Sequence, residues 1–239
     1  MTESDEWDKI ERLCQQAMDH PGRRAFVQWS AWRTVVDILI LNHRDLVAHL
    51  NEPNEKLCAA LEVIRNVGPR KDPDYHTEFY RLLHNYLASV KTLVDHSRNL
   101  SKRHPDRTEF QSEYQDRVDR IREIPLAKFV QELRNVVLHA QLPQIVSTVT
   151  FDAAGGPLHE LTVDRAALLQ ASDWSAPARE YIQGQPDQFA LRTAIDAYMT
   201  EAMTLSAWID RQFRELHGPE YEDYERLLDE LRGPNAGRD

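Results

Sequence analysis

Arg134, Asn135 and His139 are the residues of this 239-residue chain whose types and spacing best suit a reaction. Asn135 and His139 are four apart, so on a helix they share a face. Arg134 sits about 100° round from Asn135, within reach of a long side chain. A guanidinium offers a fork of donors that matches a phosphate. An imidazole moves a proton as general base or acid. Together the three suit phosphodiester chemistry in which an RNA 2′-OH attacks the adjacent phosphorus. His139 would shuttle the proton, and Arg134 would stabilise the charge that develops. Asn135 would orient His139 or bind the phosphate. Two similar spacings occur, Arg44-Asp45 with His49 and Arg98-Asn99 with His104. The first falls inside a helix expected to be central. In the second, Pro105 follows the histidine and disfavours helical backbone there. Arg134 to His139 instead follows an amphipathic stripe and ends just before Pro143.

The stretch from Phe129 to Pro143 resembles the signature of the HEPN superfamily of helical-bundle ribonucleases. That signature is an arginine, a polar residue directly after it, and a histidine four to six residues beyond the arginine. Leu133 before the arginine and Leu142-Pro143 after the histidine are similar to a poorly characterised bacterial branch. The resemblance implies a metal-independent endoribonuclease of a bacterial defence or toxin system, with Arg134, Asn135 and His139 catalytic. It implies no cofactor and no metal. It also implies a homodimer in which two copies of the motif face each other, and an antitoxin or defence-complex partner. Members without activity serve as dimerisation or interaction modules, which is the alternative. Outside the motif the likeness extends only to the helical pattern from about residue 23 to 217. The hairpin expected at 145–163 departs from the minimal family bundle.

A substrate needs an approach. The net charge is −10, which argues against a surface that binds nucleic acid throughout. Between Lys91 and Arg134, however, ten residues are basic and eight acidic. Lys102, Arg103 and Arg107 cluster at a helix junction and are expected to bind RNA phosphates. Acidic runs near both ends would lie away from that RNA.

The elements that must position these residues are mostly helical. Apolar spacing of three and four predicts helices over 3–19, 23–50, 55–67, 73–103, 108–124 and 126–140. The breaks are Pro21-Gly22, a turn at 51–54, the 68–73 segment with Asp72 as a cap, and Pro105. The 23–50 helix is apolar nearly all round in its middle and is expected to be buried. Ile145 to Phe151 and Leu158 to Val163 flank a Gly-Gly-Pro turn and predict one β-hairpin. Asp164 should cap a short helix, Ala176–Ile182 form another, and 187–217 and 219–232 form the last two. The fold class is all-α, a four-long-helix up-down bundle in one domain over 1–239, with a frayed tail at 233–239.

Composition excludes several classes. Eight glycines and twelve prolines are too few for a turn-rich all-β chain. Two cysteines exclude a disulfide framework and a cysteine-built zinc site. There is no phosphate-binding glycine loop, HExxH or GxSxG. His43 and His49, six apart and on nearly opposed helical faces, are read as structural or surface residues. The longest apolar run is too short for a bilayer, and the acidic start is unlike a targeting peptide. A cytoplasmic protein without membrane association is the expectation.

Overall fold

The computed structural model describes residues 3–55, 75–104, 107–139, 142–152 and 156–232. The expected helix at 55–67, its flanking break with Asp72, the hairpin tip and the 233–239 tail lie outside them. The described chain is mostly helical with one small antiparallel sheet. In order it runs α1 (Glu3–Asp19), α2 (Gly22–Glu55), α3 (Tyr75–Lys102), α4 (Thr108–Glu123) and α5 (Pro125–His139). Then come β1 (Ile145–Asp152), β2 (Gly156–Asp164), α6 (Arg165–Gln170), α7 (Ala176–Gln183), β3 (Gln188–Phe189) and α8 (Leu191–Arg232). It divides into two compact units, 1–34 with 206–239, and 35–205.

In the first unit, α1 joins the start of α2 and the end of α8. Trp29 stacks on Phe213 with ring centroids 4.8 Å apart, and Phe26 meets Tyr221 and Tyr224. Trp32 is buried, and its indole N–H donates to Asp210 at 2.9 Å. Gly22 is required here: a Cβ on it would stand 2.0 Å from the Glu220 carbonyl oxygen. The α1 stripe is only partly covered, since Trp7 is 70% exposed while Ala17 is buried.

The second unit holds the candidate site. Within its part of α2, the buried series Val36, Leu39, Leu46 and Leu50 advances by threes and fours, with one gap. His43 falls in that gap and pairs with Asp196 at 2.8 Å. The helix is not buried all round as its composition suggested. Val27, Ile38 and Leu41 are exposed. Nor does it stop at 51. It runs through Pro53, which cannot donate to the His49 carbonyl. The Tyr75 hydroxyl donates to that carbonyl instead, at 3.4 Å.

Helix α5 is locked by Ala127, Phe129, Val130, Leu133, Val136 and Val137, all buried. Phe129 is enclosed by Trp174, Tyr181 and Phe189, with centroids 5.7, 4.9 and 6.4 Å away. The hairpin forms with Ile145 opposite Val163 and Val149 opposite His159. A third strand, unforeseen, adds Gln188 and Phe189 against Asp164 and Val163. Residues 187–190 therefore do not begin the last helix. That helix also continues through Gly218-Pro219 to Arg232 rather than dividing there. A Cβ on Gly218 would meet nothing within 4 Å, so no packing forces a break. Asp164 caps α6 as expected, accepting from the Ala167 N–H at 2.7 Å.

Candidate functional site

Arg134, Asn135 and His139 lie in the last turns of α5. The buried stripe of this helix covers one side, and Asn135 and His139 are exposed on the other. Arg134 sits at the edge and is half-buried. One of its guanidinium N–H groups donates to Asn135 Oδ1 at 3.0 Å. Its Nε is buried and has no acceptor among the described residues. The pair is thus preorganised, and most of the five guanidinium donors stay available for an oxyanion. One turn further on, His139 shares the exposed Asn135 face. Glu132, one turn before, accepts from the Ser175 N–H at 2.9 Å and lies 3.5 Å from Lys128. The bond from Ser175, the residue that precedes α7, ties this face of α5 to the start of α7.

Lys102, Arg103 and Arg107 are exposed at the α3–α4 junction. The structure does not bring them to His139. The Tyr80 hydroxyl donates to the Pro143 carbonyl at 2.7 Å, so the start of α3 lies beside the end of α5. Tyr80 and Lys102 are 22 residues apart on α3, about 33 Å of helical rise. The basic junction therefore stands at the far end of α3 from His139.

A second polar constellation, not anticipated, lies under the hairpin. His159 is 5% exposed and faces inward from β2. The Ser147 hydroxyl is 2.7 Å from its Nε2, and the Tyr75 hydroxyl 3.4 Å from its Nδ1. One tautomer satisfies the chain: Ser147 donates to Nε2, Nδ1–H donates to Tyr75, and Tyr75 donates to the His49 carbonyl. Asn54 clamps the His159 backbone on both sides, accepting from its N–H and donating to its carbonyl. His49 stacks on Tyr75 at 4.2 Å and donates to the Tyr75 carbonyl at 2.9 Å. Burial above all, then the neighbouring His76 and His49, push the His159 imidazole down to about 4. It is neutral at physiological pH and too weak a base to activate Ser147 strongly. The cluster joins the hairpin to α2 and α3. The parity of His159, Leu161 and Val163 on β2 was the available sequence signal.

No group of histidines, cysteines and carboxylates among the described residues has the arrangement of a metal site. No described helix is long and apolar enough to cross a membrane. No family model, curated protein or solved structure matches the chain.

Proposed function

We propose that the chain is a metal-independent endoribonuclease with a HEPN-like four-helix arrangement, acting in a bacterial defence or toxin system. The observation that carries this reading is the Arg134–Asn135 hydrogen bond at 3.0 Å beside an exposed His139 on a helix whose opposite side is fixed. The guanidinium would hold the scissile phosphate. The 2′-OH would attack phosphorus while the P–O5′ bond breaks, giving a 2′,3′-cyclic phosphate and a 5′-hydroxyl. His139 would take the 2′-OH proton or deliver one to the leaving oxygen. Arg134 would carry the added negative charge.

Because Asn135 and His139 lie open on one chain, a second copy would wall the site and supply the other half of the donors. A homodimer is therefore part of the proposal. Lys102, Arg103 and Arg107 would hold the RNA several nucleotides from the cut. The alternative is an inactive bundle that pairs with itself or with a partner protein; the exposed Ile38 and Leu41 on α2 favour an interaction role.

The test is cleavage of a mixed-sequence RNA in EDTA by the wild type, Arg134→Ala and His139→Ala. Cleavage by the wild type, lost in both variants while their melting curves match, is expected. Equal activity in all three would overturn this site. An inert wild type would favour the alternative.

A further inference from the structure

A cavity of about 250 Å³ lies between α3, α4, α5 and α8, apart from Arg134, Asn135 and His139. All its lining residues belong to the second unit. Its walls are aliphatic, with Leu93, Val118, Ile121, Ala202 and Leu205. The Ser97 and Tyr114 hydroxyls, 2.9 Å apart, and Tyr198, bonded to the Gln131 side chain, supply the polar groups. Arg98, Arg122 and Lys128 also line it, and among the described residues no carboxylate does.

Three carboxylates sit outside the lining. Asp95 is 3.7 Å from Arg98, Asp119 is 2.9 Å from Arg122, and Glu132 is 3.5 Å from Lys128. Asp95 is shared with Lys91. Four cations face three carboxylates, a local excess of one positive charge. Exposed pairs of this kind hold each other weakly. They leave the cations able to turn to an anion within the cavity. Burial leaves the Tyr114 phenol raised overall, while the bond with Ser97 and the charges of Arg98 and Arg122 pull it the other way.

The geometry points to a binding site for a small amphipathic anion, with an apolar body in the aliphatic chamber and one carboxylate or phosphate held by Arg98 and Arg122. Size bounds the ligand. A cavity of about 150 Å³ holds benzene, so 250 Å³ accommodates roughly ten non-hydrogen atoms. The walls come from four helices, so a ligand here bridges α5 to α3, α4 and α8. The inference is independent of any ribonuclease activity.

Octanoate and its neutral counterpart octan-1-ol are suitable probes, titrated calorimetrically into the full chain. The wild type should bind octanoate at least about tenfold more tightly than octanol. In Arg98→Gln/Arg122→Gln the two affinities should come within about twofold, mainly by loss of octanoate binding. Filling the chamber with Ala202→Phe should weaken both probes by tenfold or more. If that variant fails to fold, Val118→Phe fills the same chamber from α4. No preference for octanoate in the wild type, a preference kept in the double variant, or binding unaffected by a folded filling variant would each overturn the assignment.

Discussion

Acid should loosen the hairpin through His159. The neutral imidazole closes a chain from Ser147 to the His49 carbonyl, and a second proton breaks it. A protonated ring would donate from both nitrogens in a site that holds it 5% exposed beside His76 and His49. In the unfolded chain the ring titrates near its ordinary 6.5; in the folded chain it titrates at about 4. The folded value is the lower, so the unfolded state binds the proton first. The stabilisation is complete above about pH 6.5 and is lost as pH falls towards 4. The gap is worth about 3 kcal/mol in full, of which about 2 kcal/mol is gone by pH 5. Carboxylates titrate in the same range, so the informative quantity is a difference. Urea unfolding of the wild type and of His159→Gln, followed by circular dichroism from pH 7.5 to 4, should give curves that converge by about 3 kcal/mol. The imidazole proton signal in a folded-state NMR titration should have its midpoint near 4. A midpoint near 6.5, or a wild-type-minus-variant difference flat with pH, would refute the reasoning.

Other perturbations read other parts of the molecule. Gly22→Ala forces a Cβ against the Glu220 carbonyl and should cost roughly 1–3 kcal/mol, seen as a lower melting temperature; an unchanged melt would contradict the close approach. Asp164→Ala removes the α6 cap and should cost about 1 kcal/mol in denaturant unfolding, with Asp164→Asn costing less. Trp32→Phe loses the indole bond to Asp210 and should destabilise the first unit by about 1–2 kcal/mol, measured by hydrogen exchange of α2 amides. His139→Ala should lower RNA cleavage about 10²–10⁴-fold in a single-turnover assay, and Arg134→Lys should lower it despite the retained charge.

The legible parts of the sequence were those decided locally. The Asp164 cap, the α5 stripe around Phe129 and the hairpin strands follow from spacing within a few residues. The misread parts turn on distant partners. Pro53 reads as a turn until Tyr75 takes the carbonyl it leaves unbonded. A two-residue strand such as β3 has no periodicity and exists because Val163 and Asp164 pair with it. Ser147, His159 and Tyr75 meet across separations of 12 and 84 residues, set by strand register and helix docking. For the candidate site, the neighbours Arg134 and Asn135 were legible as a pair because one helix fixes both. The charge count around Lys102 could not say which end of α3 would face His139.

The bond between Trp32 and Asp210 joins residues 178 positions apart, and the unit that contains it is assembled from the two ends of the described chain. The other unit is one uninterrupted stretch, 35–205. During synthesis the order is therefore fixed. Helix α1 and the start of α2 leave the ribosome before α8 and wait for its end before Trp29 finds Phe213. The stretch that carries Arg134 and His139 is complete at residue 205, eight residues before Phe213. Residues such as Trp29 and Trp32 spend that interval uncovered, so the early segment is the one most in need of chaperone protection.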